Sequence, residues 1–247
     1  MALFEADQLH KRFGDQVVLE SVSLKFEEGQ LAGIMGPNGA GKTTCFNVLT
    51  GRYRPDRGSV RFAGEDITGL SPRRIACKGL SRSFQLMNLF DQESALDNVV
   101  MATPALRRQG FSIWRDLGRN TAARDAAMAV LARVGLAGKA DAVAGALSYG
   151  DRRALEIGVA LAAEPRLLFL DEPTAGLGAE GTARVADLVA QLKRQLTIVI
   201  IEHDMRFLFG LADRISVIHW GQVIAEGTPD ELRENPWVRR SNLGALA

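Results

Sequence analysis

GPNGAGKTT, residues 36–44, is the stretch that decides the fold. Its glycines, followed by Lys42 and Thr43, are typical of a loop whose backbone curls until successive N–H groups point at anionic oxygens. Lys42 adds a positive charge, and Thr43 offers a hydroxyl to Mg²⁺. The apolar run before it, QLAGIM (30–35), predicts a buried strand, and TTCFNVLT (43–50) predicts a helix whose N-terminal dipole faces the loop. Strand, loop and helix together predict a site for a phosphate chain.

A second segment, LLFLDEP (residues 167–173), indicates what kind of phosphate site this is. An apolar run that ends in two carboxylates is expected of a central parallel strand whose C-terminal end opens on a ligand crevice. Asp171 is then predicted to hold Mg²⁺ through water, and Glu172 to accept a proton from an attacking water. A turn or helix-capping pair is the alternative for these carboxylates, and the nearby phosphate loop makes it the minor one.

Composition limits the possible partners. The 247 residues, 47% of them hydrophobic, suit one globular domain or a core with a smaller subdomain. The 30 basic and 29 acidic residues leave a net charge of +1, which gives no general electrostatic reason to bind nucleic acid. We therefore expect no nucleic-acid partner.

The two cysteines and the hydropathy pattern bear on location. Cys45 and Cys77 form no CxxC pair, which argues against zinc and fits a reducing cytosol, and both are expected to be packing residues. No apolar stretch approaches the ~20 residues that span a bilayer, and the first residues lack the apolar core of a signal peptide. If the protein works at a membrane, another chain must cross it.

Periodicity predicts an α/β protein with an interrupted core. Polar and apolar residues alternate near the N terminus, which predicts antiparallel strands, and the region after residue 85 is alanine-rich with a helical period up to about residue 163. The predicted strands are 3–10, 17–26, a strand within 55–62, 81–85, 167–170, 196–201, 214–219 and 222–227. The predicted helices include 71–80, 179–194, 205–212 and a short helix that starts at the capping-box pattern of Thr228 and Glu231 and stops at Pro236.

These motifs together resemble the ATPase subunits of ABC transporters over the whole length of the chain. The phosphate loop, the strand that ends in Gln85, LSYGD (147–151), LLFLDEP and EHD (202–204) occur in the order and spacing of that family. The resemblance implies the P-loop NTPase ABC ATPase fold, an α/β fold with a RecA-like core and an antiparallel β subdomain. In this division, residues 1–85 and 164–247 form the nucleotide-binding core, and residues 86–163 form an inserted helical subdomain that carries the LSYGD motif.

The resemblance also implies a set of site residues. In the family, two subunits lie head to tail, and ATP is held between the loop of one and the LSxGx motif of the other, here Ser148 and Gly150. Glu172 is the implied general base, and His203 is the implied contact to the γ-phosphate, although a lone histidine after a strand is usually structural. The implied phosphate and Mg²⁺ loop consists of Gly36, Pro37, Asn38, Gly39, Ala40, Gly41, Lys42, Thr43 and Thr44.

Further roles are implied by matching positions. Gln85 would sense Mg²⁺ and the attacking water, so that Thr43, Gln85 and Asp171 make up the implied metal set. Phe13 would stack on adenine, although an aromatic near an N-terminal strand is otherwise most often a core residue.

The sequence departs from the commonest family pattern at three positions. Asp151 replaces a glutamine, Gly178 stands where many relatives have aspartate, and Phe13 replaces the commoner tyrosine.

Longer stretches are similar to one subfamily, the longer of the two paired ATPase subunits of branched-chain amino-acid importers. They are GEDITGLSPRRIACKGLSRSFQLMNLF (64–90), LSYGDRRALEIGVAL (147–161) and EGTPDELRENPWVRRSNLG (226–244). This similarity implies an ATPase that couples Mg·ATP hydrolysis to solute import from the cytoplasmic face of the membrane. The implied partners are a second ATPase subunit, identical or paired, two transmembrane permease subunits, and a periplasmic or extracellular solute-binding protein.

The segment that follows Gln85 is implied to meet the permease. Leu86, Met87, Leu89 and Phe90 would line a groove for a short cytoplasmic helix of the membrane subunit, with ordinary packing as the alternative.

Two competing functions remain open at the level of sequence, and the sequence argues against a third. The same catalysis could serve another cargo, such as urea or lipopolysaccharide, or a soluble ABC ATPase could act as a scaffold. A degenerate module without turnover would require the loss of Lys42, Glu172 or His203, and all three are present.

Overall fold

A computed structural model describes residues 2–83, 89–104 and 120–240 of the chain. The strands are β1 (Ala2–Phe13), β2 (Gln16–Glu27), β3 (Leu31–Met35), β4 (Arg57–Phe62), β5 (Glu65–Asp66), β6 (Leu80–Arg82), β7 (Leu167–Asp171), β8 (Thr197–Ile201), β9 (Arg214–His219) and β10 (Gln222–Gly227). The helices are α1 (Lys42–Leu49), α2 (Pro72–Ala76), α3 (Ala95–Val100), α4 (Thr121–Arg133), α5 (Tyr149–Leu161), α6 (Ala179–Leu192), α7 (Met205–Leu211), α8 (Pro229–Glu234) and α9 (Pro236–Arg240), with short 3-10 turns at Ala137–Lys139 and Ala144–Ala146.

The strands form two sheets. One has four strands in the order β2-β1-β4-β5, all antiparallel, and its strands bury roughly alternate residues. The other has six in the order β10-β9-β3-β8-β7-β6, parallel except for β10 at its edge. Strands β3, β7 and β8 are buried at every position, since both faces of this sheet are covered.

One hydrophobic core lies between the two sheets and encloses α1. Phe169 on β7 makes edge-to-face contacts with Phe4, Phe26 and Phe46, at centroid distances of 5.5, 6.3 and 5.8 Å. These rings join both sheets to the helix that follows the phosphate loop, so they fix the loop relative to β7.

A second core covers the opposite face of the parallel sheet. Leu168 and Leu170 point into it while their neighbours point into the first core, as the period of a strand requires. The same cluster includes buried residues of α3, α4 and α5 from the helical region and of α6 and α7 from the α/β region. The predicted fold class is confirmed, whereas the subdomain boundaries at residues 85/86 and 163/164 stay a prediction.

Three local predictions need correction. The helix expected over 71–80 ends at Ala76, because Gly79 adopts φ +96° and the chain then enters β6 at Leu80. The strand expected over 81–85 starts one residue earlier and ends at Arg82, and Gln85 lies outside the described residues. Cys45 is buried as expected, but Cys77 is exposed and is not a packing residue.

Candidate functional site

The phosphate loop leaves the end of β3 and is fixed by close backbone contacts. A Cβ on Gly36 would lie 2.1 Å from the carbonyl oxygen of Ile218 on β9, and one on Gly41 would lie 2.8 Å from that of Val18 while the backbone holds φ +99°. Only glycine fits these positions. The Gly221 N–H donates to Ala40 O at 3.0 Å, so the turn between β9 and β10 braces the loop.

Lys42 begins α1 and points back into the loop. Its side chain is 6% exposed, and its Nζ donates to Gly36 O at 2.7 Å and to Pro37 O at 2.9 Å. Burial lowers the pKa of Lys42, and the negative charges of Glu172 and Asp171 partly oppose that shift. The ammonium therefore lies within electrostatic reach of the carboxylates that follow β7. Thr43, the next residue, is exposed on the first turn of the helix.

The end of β7 presents two carboxylates in different environments. Asp171 is 3% exposed, and burial together with the adjacent charge of Glu172 raises the pKa of Asp171 to about 6, against the opposing effect of Arg82. Glu172 follows with φ +45°, an uncommon conformation for a residue with a side chain, and its N–H donates to Ile201 O at 2.8 Å. The predicted metal carboxylate is thus buried beside a second carboxylate, and the predicted base has a strained backbone that its surroundings hold.

His203 lies beside Glu172 after β8. Its Nδ1 is 3.6 Å from Glu172 Oε1 and 3.6 Å from Glu202 Oε2, and its side chain is 56% exposed. Glu202 is fully buried and accepts from the backbone N–H groups of Thr174 (3.0 Å) and His203 (2.9 Å) and from the Thr174 hydroxyl. The structure therefore brings together Lys42, Asp171, Glu172 and His203 at one edge of the parallel sheet.

The LSYGD segment opens helix α5 with a side-chain cap. Ser148 Oγ accepts from the Asp151 N–H at 3.2 Å and donates to Asp151 Oδ2 at 2.6 Å. Lys139 lies 2.5 Å from Oδ2, and Arg184 lies 3.4 Å from Oδ1. Burial, the largest effect, would raise the pKa of Asp151, but the hydrogen bonds from Lys139 and Ser148 outweigh it and lower that pKa. The carboxylate that replaces the family's glutamine is thus paired within its own subunit.

Not every predicted site residue lies at this edge. Within the described ranges, no hydrogen bond or ion pair joins Ser148 or Gly150 to the phosphate loop, and both are at least partly exposed. Gln85, Leu86 and Met87 lie outside the described residues.

Phe13 lies at the tip of the β1–β2 hairpin and not in the core. It is 44% exposed, and its ring packs edge-to-face on Tyr53 at 5.3 Å. Lys11 Nζ lies 5.4 Å from the Phe13 centroid. An exposed aromatic face near the phosphate loop's helix is available for stacking, and Tyr53, which the sequence did not single out, sets the orientation of the Phe13 ring.

Two buried residues that hold the backbone of the site in place were not predicted from the sequence. Glu202 and Arg153 are buried and bond the backbone after β7. A charged residue directly after the apolar run of β8 was the available signal for Glu202. For Arg153 the signal was weaker, a charge on the otherwise apolar face of a helix.

Two features are absent from the described part of the chain. It contains no cluster of three or more His, Cys, Asp and Glu side chains that could hold a metal by themselves. None of the described helices has both the length and the apolar character to cross a membrane.

The chain matches known families and known proteins over most of its length. The ABC transporter family model matches residues 19–175, and a model for branched-chain amino acid ATP-binding cassette transporters matches residues 222–241. The high-affinity branched-chain amino acid transport ATP-binding protein BraF of Pseudomonas aeruginosa is 39% identical, and LivG of Escherichia coli K12 is 36% identical, each over 98% of both chains. The lipopolysaccharide export system ATP-binding protein LptB of Acidithiobacillus ferridurans is 34% identical over 98% of this chain and 97% of its own.

Solved structures of ATP-binding cassettes superpose on this chain over nearly its whole length. A nucleotide-free ATP-binding cassette from an ABC transporter superposes with a TM-score of 0.87 at 29% identity, covering 99% of this chain and all of the other. The ADP conformation of such a cassette superposes with a TM-score of 0.88 at 29% identity, covering 99% of each chain.

The fold and the phosphate loop define a nucleotide-binding P-loop ATPase. Within that class, the chain belongs to the ABC transporter family as an ATP-hydrolysing subunit.

Proposed function

We propose that this chain hydrolyses Mg·ATP in a head-to-tail dimer and thereby powers the import of branched-chain amino acids, or related small solutes, through separate membrane subunits. The observation that carries the chemistry is the convergence of Lys42, Asp171, Glu172 and His203 at one sheet edge. The relatives BraF and LivG and the C-terminal family match support the cargo.

The proposed chemistry divides among the loop and the two strand ends. The curled backbone of the phosphate loop and Lys42 bind the β- and γ-phosphates, with Phe13 stacked on the adenine. Mg²⁺, when bound, neutralises phosphate charge. The residues proposed to hold the ion are Thr43, Asp171 through water, and Gln85. The Glu172 carboxylate next to Asp171 adds negative charge that suits a cation.

Glu172 and His203 act on the reacting end of the nucleotide. Glu172 orients the attacking water and accepts its proton, since its carboxylate follows the strand that carries Asp171. His203 contacts the γ-phosphate, since its half-exposed imidazole lies 3.6 Å from the same carboxylate.

The site is proposed to be complete only in the dimer. The start of α5, with the Ser148 hydroxyl and the Gly150 N–H, is an exposed helix N-terminus that suits a phosphate of a nucleotide held by another subunit. The dimer is either a homodimer or a heterodimer with a paired ATPase. Two transmembrane permeases and an external solute-binding protein complete the proposed complex, with this chain peripheral on the cytoplasmic face of the membrane.

A second candidate changes only the cargo. LptB is similar over nearly the whole chain, so export of lipopolysaccharide is the main rival, although its identity is lower than that of BraF. Uptake of labelled leucine by vesicles that contain this chain with its permeases tests the cargo. Uptake that does not depend on this chain would contradict import of branched-chain amino acids.

The catalytic proposal is tested by Glu172→Gln. Glutamine keeps the shape but cannot accept the proton, so phosphate release should slow by about 10²- to 10⁴-fold while Mg·ATP stays bound. Stalled hydrolysis should then trap a dimer, visible by size-exclusion chromatography with light scattering.

Lys42→Ala supplies the contrast for this test. Loss of the loop's charge should impair binding of ATP itself, so no dimer should be trapped. A Glu172→Gln protein with the wild-type hydrolysis rate would remove Glu172 from its proposed role. A slow variant that binds ATP yet stays monomeric would contradict the shared site.

A further inference from the structure

Helix α5 holds the backbone that carries Glu172. Arg153 Nη2 donates to Asp171 O at 3.0 Å and also to Glu172 O, and its Nε donates to Pro173 O at 3.1 Å. Tyr149, four residues earlier on the same helix face, donates from its hydroxyl to Ala175 O at 3.1 Å. Two side chains of one helix thus bind four carbonyls within the five residues 171–175.

The remaining residue of this stretch is held from the opposite side. Thr174 bonds through its N–H and hydroxyl to the buried Glu202. Every residue from Asp171 to Ala175 therefore has a side chain fixing its backbone. Because Glu172 holds φ +45°, a conformation that the chain does not favour, these contacts determine where its carboxylate lies.

Arg153 is suited to this task by burial and by charge. Its side chain is 3% exposed, and its Nη1 pairs with Glu156 Oε2 at 2.6 Å one turn along the helix. The ion pair fixes the guanidinium plane, so its rigid fork presents donors to three successive carbonyls. A lysine at this position has one nitrogen and cannot span them.

The same helix begins at the LSYGD segment. Ser148 caps it, and Arg153 lies five residues further on, which is about 7.5 Å along the axis at the rise of an α-helix. If the dimer of the proposed function forms, one end of α5 meets the ATP held by the other subunit, while Arg153 and Tyr149 hold the Glu172 that acts on this subunit's own ATP.

Resting on that proposed function, we propose that Arg153 is a positioning residue that couples the two ATP sites of the dimer. A nucleotide held at the start of α5 orders this helix, and Arg153, helped by Tyr149, transmits that order to the backbone of Glu172 in the neighbouring site. Hydrolysis at one site then depends on occupancy of the other.

The test is Arg153→Lys. This variant keeps the positive charge beside Glu156 but loses the branched guanidinium that bonds three carbonyls. We expect kcat for ATP to fall by between about tenfold and a hundredfold, because a displacement of about 1 Å at a reacting group costs that much. KM should change by less than about threefold, since the phosphate loop is untouched. The coupling predicts a Hill coefficient for ATP above 1 in the wild type, and this coefficient should fall toward 1 in Arg153→Lys. Tyr149→Phe removes one hydrogen bond and should lower kcat by about twofold to tenfold.

Arg152→Lys is the matched control, because Arg152 bonds Asp91 at 2.6 Å and none of the carbonyls of 171–175. Its kcat should stay within about twofold of the wild type. The double variant Glu172→Gln with Arg153→Lys should still trap the ATP-bound dimer, which shows that folding and binding survive. Wild-type kcat and Hill coefficient in Arg153→Lys would overturn the coupling role, as would loss of dimer trapping in the double variant. A wild-type protein without ATPase activity would instead overturn the proposed function.

Discussion

At the scale of single residues, the phosphate loop positions the ammonium group of its own Lys42. An ammonium has three N–H donors, and here two of them bond the carbonyls of Gly36 and Pro37. These bonds fix Nζ inside the loop and leave one donor to face a phosphate. Burial lowers the pKa of Lys42, and the neighbouring carboxylates oppose that shift.

Phe13 carries a prediction about the nucleotide base. An exposed ring that stacks on adenine supplies about 1 to 3 kcal/mol, so Phe13→Ala should weaken ATP binding by about tenfold to a hundredfold. Stacking reads no base edge, so ATP and GTP should lose affinity alike. Isothermal calorimetry measures both, with Phe13→Tyr as the control that keeps the ring. Unchanged affinity in Phe13→Ala would leave Phe13 without a role in binding the base.

At the scale of elements, the helices differ in whether a side chain caps their first turn. Helix α5 has the Ser148 cap, and α8 has the full capping box of Thr228 and Glu231 that the sequence predicted. Helix α6 begins at Gly178, whose φ of −74° suits any residue and whose Cβ would meet nothing within 4 Å. The glycine that departs from the family pattern thus leaves α6 without a side-chain cap.

Gly178→Asp should therefore stabilise the protein. A carboxylate at this position can cap α6 and favours the helix dipole, so we expect a gain of about 0.5 to 1 kcal/mol. For a chain of this size that raises Tm by about 1 to 4 °C, measurable by calorimetry. Gly178→Ala is the control, because alanine adds a side chain without a cap and should not stabilise. An equal rise in Tm for both variants would argue against capping.

The same elements show how far the sequence could predict the site. Lys42, Asp171 and Glu172 belong to continuous motifs in which strand, loop and helix follow one another, so local pattern was sufficient to place them on those elements. Arg153 and Glu202 act on backbone 18 to 28 residues away in sequence, and only the packing of α5 and β8 against β7 brings them there. The early end of α2 was missed because the conformation of Gly79 depends on the turn into β6.

At the scale of the whole molecule, the strand that leads to the site lies between the two hydrophobic cores. Phe169 and Leu170 on β7 face opposite cores, so the strand that ends in Asp171 is anchored from both sides. Next to it, a groove of about 300 Å³ opens between the two regions of the chain. Its lining is mainly apolar and includes Ile75, Leu80, Leu89, Val159 and Ala160. Phe90, 54% exposed, follows Leu89 beside this groove.

If this groove receives a permease helix, Leu89→Glu or Phe90→Glu should uncouple transport. A charge at a buried apolar contact disrupts docking, so solute uptake in vesicles should fall at least about tenfold, whereas phosphate release by the isolated subunit should stay within about twofold. Met128→Glu, on the surface of α4, is the matched control and should leave both unchanged. Normal uptake in a folded Leu89→Glu protein would assign this apolar surface to packing.

The two cysteines have a practical consequence. The thiol of Cys45 is fully buried in α1, and burial raises its pKa to about 12, so it offers almost no thiolate at neutral pH. Cys77 is exposed just after α2. A thiol-directed fluorophore will therefore label the native chain at one position, remote in sequence from the phosphate loop. Energy transfer between two such dyes would report assembly of two copies in real time, without an engineered cysteine.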